Sequence, residues 1–211
     1  MDKERFIWKT RPLAAAENTV VCGNVRVTVL TDCLLRIEYS DTGRFEDRAS
    51  QTVFYRDFAP CTYQTVRNDT WLTVETTALR LCCRTDVPFS ADTLAVALKN
   101  EPASYWHYGD EPETLKGTTK TLDGVNDGIP LEDGLCSRLG YALLDDSNTM
   151  LLSEDGWVLP RPEGTADLYF FGYSYDYRRC IADYYRLTGI PPMLPAYALG
   201  NWWSRYYAYT Q

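Results

Sequence analysis

The feature that most constrains the fold of this chain is a series of short apolar segments, separated by turn residues, from about residue 20 to residue 172. In the clearest segment, Val25, Val27 and Val29 occupy every second position, the period of a strand with one buried face. No helical pattern lies between the segments, so βαβ units are not predicted. The pattern predicts a mainly β fold, an antiparallel β-sandwich. The predicted strands are 20–22, 24–30, 33–39, 52–55, 63–66, 71–75, 78–83, 93–98, 140–145, 149–153 and 166–171.

One helix is predicted after the strands. Asp176 can cap its start, and Gly189 ends it before two prolines. Beyond residue 190, a proline-rich linker leads to an apolar run and a group of aromatic side chains. We therefore divide the chain into a β-sandwich domain, 1–190, and the start of a second domain, 191–211, and interpret it as the front portion of a larger protein. The residues at helical spacing are Tyr177, Ile181, Tyr184 and Tyr185.

Composition argues against several kinds of partner. The net charge is −8 and the pI is near 4.7, whereas binding to nucleic acid or to an anionic membrane needs clustered Lys and Arg. Seven cysteines form no CxxC pair and there is one histidine, so no zinc set and no other metal site is predicted. With no apolar signal core and no apolar window of membrane length, we expect a cytoplasmic protein with reduced thiols.

A long segment of different character, 106–135, interrupts the strands. It is rich in Gly, Asp, Thr and Pro and shows little periodicity. Such a loop inside a compact domain is usually either functional or disordered. Apolar residues at Leu115, Leu122, Val125 and Ile129 favour an ordered loop.

Pairs of carboxylates are candidates for acid–base chemistry, because glycoside hydrolysis needs two that flank the scissile bond. All of them lie in turns or loops, where Asp is common for local reasons, so residue type alone selects none. His107, between Trp106 and Tyr108, is interpreted as packed or hydrogen-bonded, because no partner for a base is evident. The candidate pairs are Asp110/Glu111/Glu113, Asp123/Asp127, Glu132/Asp133, Asp145/Asp146 and Glu154/Asp155.

Several segments, in this order, resemble glycoside hydrolase family 31 (GH31), the α-glucosidase and α-xylosidase family. The opening strands resemble it over 24–39, and the long loop resembles the family's active-site-facing N-terminal loop. The segment 191–206 resembles the beginning of its catalytic barrel. The remaining matching pieces are 106–110, 115–118, 121–124, 134–138, 151–157, 167–173 and 183–189.

The resemblance implies a galactose-mutarotase-like β-sandwich, then one helix and the first strand of a truncated (β/α)8 barrel from about residue 191. In the family, the nucleophile and the acid/base are both Asp residues on later barrel strands, beyond Gln211. The implied parent is a retaining α-glycosidase that acts on an oligosaccharide or glycoside and needs no cofactor. This chain would contact the remainder of the barrel, carry no catalytic residue and be inactive alone.

The resemblance also assigns supporting roles. Tyr206 would lie against the sugar at the end of the first barrel strand, and Arg205 would support the site by pairing with a carboxylate. Asp123 resembles the acidic loop residue that hydrogen-bonds the sugar, and Asp127 is the rival assignment. The run 202–204, Trp-Trp-Ser, departs from the common pattern, so the choice between glucose and xylose stays open.

Two other hypotheses belong to different classes. The chain would be a stand-alone carbohydrate-binding sandwich if a natural stop codon followed Gln211. A mutarotase-like enzyme would need a His and a Glu on a concave face, and His107 is the one histidine. Without the barrel, the aromatics after about residue 190 lose their burial partners. We expect that segment to be disordered or to mediate self-association.

Overall fold

Two five-stranded sheets, a two-stranded hairpin and one α-helix make up the part of the chain that a computed structural model describes, residues 7–101, 104–117, 124 and 126–200. In chain order the elements are β1 Thr19–Cys22, β2 Val25–Val29, β3 Leu34–Ser40, β4 Gln64–Arg67, β5 Trp71–Glu75, β6 Leu79–Arg84, β7 Leu94–Leu98, β8 Tyr105–His107, β9 Ala142–Asp145, β10 Leu151–Leu152, β11 Val158–Leu159, β12 Thr165–Phe171 and α1 Tyr177–Thr188.

The first sheet has the strand order β1-β2-β3-β12-β9, and the second has the order β4-β5-β6-β7-β8. The paired strands are antiparallel, and Ile37 in β3 pairs with both Val27 of β2 and Leu168 of β12. The predicted antiparallel β-sandwich is therefore confirmed. Strands β8 and β9, which flank the long loop, lie at the edges of different sheets. The loop consequently passes from one sheet to the other.

The core lies between the two sheets, and the period of two in each strand selects the side chains that enter it. In β7, Leu94, Val96 and Leu98 are buried while the intervening alanines are partly exposed. Trp106 of β8 and Phe170 of β12 meet across the sandwich with ring centroids 5.5 Å apart. These contacts join both sheets in one hydrophobic cluster.

Helix α1 packs on the outer face of the first sheet. The Asp176 side chain accepts a hydrogen bond from the Arg179 amide at 3.1 Å, which caps the helix start. Gly189 ends the helix at a φ of 101°, a conformation that favours glycine. Cys180 and Leu187 of the helix are buried on the side that faces the sheet. The predicted helix is therefore confirmed, together with its predicted cap and end.

Residues 52–55 do not form the strand that was predicted. The amides of Phe54 and Tyr55 both donate to the Leu187 carbonyl, at 3.1 and 3.0 Å. The last carbonyls of a helix have no hydrogen-bond partner within the helix. These extended residues supply that partner at the end of α1, so their amides do not bond to a neighbouring strand. Two short strands, β8 and β11, were not predicted.

A buried network of charges covers the outer face of the first sheet. Arg36 binds Asp167 through two hydrogen bonds, from Nε to Oδ1 at 2.8 Å and from Nη2 to Oδ2 at 2.7 Å. Arg26 binds Glu38 at 2.6 and 2.9 Å. Both arginines also donate to the Glu46 carbonyl, so the loop after β3 lies over the network. A third arginine, Arg161, bridges Asp167 and Asp146.

The last described residues follow α1 in an exposed segment, in which Ala196–Leu199 form a 3₁₀ turn. Residues 201–211 lie outside the described residues. The predicted boundary at residue 190 and the predicted first barrel strand therefore stay predictions. No helix within the described ranges is both long enough and apolar enough to cross a membrane.

Candidate functional site

The long loop between β8 and β9 contains an arm, which we define as residues 113–138 and in which the described residues 113–117 pair with 132–138. The Arg138 amide donates to the Glu113 carbonyl at 2.9 Å, and Thr114 forms an antiparallel bridge with Ser137. Further along, the Leu115 amide donates to the Cys136 carbonyl at 2.7 Å. The base of the arm is thus a two-stranded ribbon, whereas Leu122 and Val125, two of the apolar residues behind the predicted ordered loop, lie outside the described residues.

Side chains also connect the two sides of the arm. Asp133 accepts a hydrogen bond from the Thr114 hydroxyl at 2.6 Å and forms a salt bridge with Lys116. These hydrogen bonds, the one from Lys116 first, lower the pKa of the Asp133 carboxyl. At Gly134 a Cβ atom would lie 2.1 Å from the Leu115 carbonyl oxygen, so only glycine fits where the two sides cross.

A tight turn joins β8 to the arm. The buried Trp106 side chain donates from Nε1 to the Asp110 carbonyl at 3.1 Å. The Asp110 carboxylate accepts from the His107 amide at 2.8 Å, and its Oδ2 lies 3.4 Å from the imidazole Nδ1. His107, the last residue of β8, is therefore hydrogen-bonded to the turn through its amide, which agrees with the sequence interpretation. The turn places Tyr108 and Asp110 in the lining of a cavity.

The cavity has a volume of about 600 Å³ and lies between the arm, β8 and β9. Its apolar lining comes from both sheets and includes Trp106 of β8, Leu143 of β9 and Leu168 of β12. Its polar lining comes from the turn, the arm and the end of β9. The polar and charged side chains are Tyr108, Asp110, Glu111, Thr114, Lys116, Asp133 and Asp145.

The structure brings together carboxylates that the sequence analysis had placed in separate pairs. Asp110, Asp133 and Asp145 come from three of those pairs and line the same cavity. Asp146, the neighbour of Asp145, instead lies in the buried network with Arg161. Tyr108 and Lys116 were not singled out as site residues. Both lie in segments that resemble GH31, Tyr108 in 106–110 and Lys116 in 115–118, but nothing else in the sequence marked them.

Of the four predicted site residues, Asp127 is the one within the described residues. It lies exposed on the arm, and its carboxylate accepts a hydrogen bond from the neighbouring Gly128 amide at 2.7 Å. This local contact leaves carboxylate lone pairs facing solvent. Asp123, Arg205 and Tyr206 lie outside the described residues, so their roles stay predictions.

Chemically, the cavity offers many hydrogen-bond acceptors, one lysine ammonium and an apolar floor. This combination suits a polyhydroxylated ligand better than a strongly charged one. In the described ranges, no three His, Cys, Asp or Glu side chains are grouped so as to hold a metal ion.

The sequence matches no protein-family model and no curated protein. The fold, by contrast, matches solved structures. A GH31 dextranase from Flavobacterium johnsoniae, solved in complexes with isomaltotriose and with glucose, is 17% identical with a TM-score of 0.50. The match covers 92% of this chain and 30% of the dextranase. The chain has the fold of a GH31 N-terminal region.

A second GH31 enzyme supports the same fold. An α-xylosidase from a soil metagenome, solved with xylose, is 11% identical with a TM-score of 0.51. Again 92% of this chain is covered, together with 35% of the xylosidase. This chain therefore spans about a third of the length of these GH31 enzymes.

Proposed function

We propose that this chain is the N-terminal part of a retaining α-glycosidase that hydrolyses terminal α-linked sugars. The observation that carries the proposal is the match of nearly the whole chain to two GH31 enzymes, one a dextranase and the other an α-xylosidase. The ordered base of the arm and the acidic cavity beside it support a role for this region in binding sugar hydroxyls.

In the proposed enzyme, two Asp residues beyond Gln211 perform the chemistry. One attacks the anomeric carbon while the other protonates the leaving oxygen, and water then hydrolyses the glycosyl-enzyme intermediate. The residues of this chain bind and orient the substrate. Asp123 or Asp127 accepts hydrogen bonds from sugar hydroxyls, Tyr206 packs against the sugar ring, and Arg205 holds a carboxylate in place.

The first experiment compares the 211-residue chain with the product of the complete reading frame, each assayed on aryl α-glucosides and aryl α-xylosides. We expect turnover from the complete product and none from the 211-residue chain. Turnover by the 211-residue chain would contradict the assignment of catalysis to residues beyond Gln211. A stop codon after Gln211 would favour the stand-alone carbohydrate-binding module.

Substitutions in the arm separate the two acidic candidates. In the complete product, Asp123→Asn or Asp127→Asn should lower kcat/KM about tenfold or more, depending on which carboxylate binds the sugar. Asp69→Asn, an exposed aspartate in the turn between β4 and β5, is the matched control and should have no effect. If neither arm variant changes kcat/KM, the arm does not bind the substrate.

A further inference from the structure

A second cavity, which we call the Trp8 cavity, shares no lining residue with the cavity beside the arm. Its volume is about 240 Å³. Three segments enclose it: the N-terminal segment, the loop that covers the buried charge network, and the turn between β10 and β11. The lining residues on which the argument rests are Trp8, Asp47, Arg48, Ala49, Leu152 and Glu154.

Trp8 provides an aromatic surface in this cavity. Its side chain is 63% exposed, which is unusual for so large an apolar group. One face is stacked on Phe54, with centroids 5.5 Å apart and planes inclined by 24°. Phe54 does not line the cavity, so the cavity meets a part of the indole that Phe54 leaves open. The stacking fixes the orientation of the exposed ring before any ligand arrives.

The walls of the cavity are held together by a buried arginine. Arg56 donates from Nη1 to the Pro12 carbonyl at 3.1 Å and to the Arg48 carbonyl at 3.0 Å. The N-terminal segment is held further by the Arg11 amide, which donates to the Phe54 carbonyl at 3.0 Å. The Leu152 amide donates to the Ala49 carbonyl at 2.8 Å and joins the hairpin to the same wall. Because these hydrogen bonds order the cavity before a ligand arrives, binding carries no free-energy cost for ordering its walls.

The charges around the cavity favour a neutral ligand. Asp47 forms a salt bridge with Arg26 at 2.6 Å, and Arg48 forms one with Glu46 at 2.8 Å. These paired groups still offer lone pairs and N–H groups to hydroxyls, and the three charged lining side chains, Asp47, Arg48 and Glu154, together carry about one negative charge. Beneath them, buried Ala49 and Leu152 make an apolar floor.

We propose that the Trp8 cavity is a second carbohydrate-binding site, which takes one pyranose ring of a neutral glycan. The C–H face of the ring stacks on the exposed indole, while the sugar hydroxyls hydrogen-bond to Asp47, Arg48 and Glu154. The volume suits a single ring, so the rest of the glycan extends into solvent. The choice of two α-gluco-oligosaccharides and a xylo-oligosaccharide as probes rests on the proposed function, whereas the site itself does not involve the arm.

The test is titration of the 211-residue chain with isomaltotriose, maltotriose and xylotriose, followed by calorimetry and by ligand-observed NMR. We expect one of these sugars to bind, and Trp8→Ala to weaken its binding at least about tenfold. Glu154→Ala should weaken binding by a smaller factor. Trp157→Ala is the matched control: Trp157 is 69% exposed on the same hairpin but does not line the cavity, and its variant should bind normally.

Three outcomes overturn the proposal: no binding of any of the three sugars, unchanged binding by Trp8→Ala, or equal loss in Trp8→Ala and Trp157→Ala. The complete product carrying Trp8→Ala should keep its kcat on a small aryl glycoside, because that substrate does not reach the Trp8 cavity. If the unsubstituted complete product hydrolyses no glycoside, the proposed function is contradicted. Even then, a sugar that binds the unsubstituted chain but not the Trp8→Ala variant would support the Trp8 cavity as a binding site.

Discussion

At the scale of single residues, the structure contains two Arg–Asp pairs of the same geometry but opposite burial. Arg36 and Asp167 are buried, whereas Arg84 and Asp86 form a similar two-bond pair at the surface. Asp167→Asn removes the negative charge that faces the buried guanidinium of Arg36. We therefore expect the free energy of unfolding, measured in urea, to fall by about 3–5 kcal/mol. The matched variant Asp86→Asn should change it very little. Equal losses of unfolding free energy in the two variants would show that burial does not determine how much such a pair contributes to stability.

The same residue gives a prediction for pH. Although burial acts to raise the pKa of Asp167, Arg36 outweighs it and lowers that pKa from 3.8 to about 2. A carboxyl with a lowered pKa stabilises the fold above its unfolded pKa, and this stability is lost as the pH falls from about 4 to about 2. The loss should be about 2 kcal/mol, measured as unfolding free energy against pH. In Asp167→Asn that part of the curve should be flatter.

Residue types predicted the inner face of the sandwich but not the buried charges on the other face. In β3, Arg36 and Glu38 alternate with apolar residues and resemble a solvated outer face. They are buried because the loop after β3 folds over them, a contact that no local pattern encodes. The cavity beside the arm was missed for the same reason, since its carboxylates come from separate parts of the chain.

At the scale of elements, the crossing of the arm at Gly134 can be tested. Gly134→Ala places a Cβ atom 2.1 Å from the Leu115 carbonyl oxygen, so the two sides of the arm must separate. We expect faster hydrogen exchange at the Leu115 and Gly117 amides, with unchanged exchange in β6 and β7. Gly128→Ala is the control, because nothing lies within 4 Å of its Cβ position. Unchanged exchange at those two amides would mean that the ribbon tolerates a side chain.

Elements defined by neighbouring residues were predicted well. The cap at Asp176 and the glycine at 189 locate both ends of α1, because both signals act within one turn. The strand predicted at 52–55 was wrong, since the partner of those amides is the distant Leu187 carbonyl. The ribbon at the base of the arm was not predicted for a similar reason. Its register depends on Gly134 and Asp133 rather than on an alternation of apolar and polar residues.

At the scale of the whole molecule, apolar side chains beyond α1 should cause self-association. Ile190 is 85% exposed and Met193 is 97% exposed, and burial of one such side chain is worth roughly 2 kcal/mol. We expect the sedimentation coefficient of the 211-residue chain to rise with concentration, and the double variant Ile190→Ser, Met193→Ser to remove much of that rise. The control, Val21→Ser with Val66→Ser, removes exposed valines from the sheets and should leave the rise intact.

The arm leaves the second sheet at β8 and returns to the first sheet at β9, so its two roots are anchored on opposite halves of the sandwich. A force applied to the arm is therefore shared by both halves. The edge strand β8 also carries Trp106, whose ring contacts Phe170 of β12 in the other sheet. A displacement of the arm would therefore reach the contact between the two sheets as well as the loop itself.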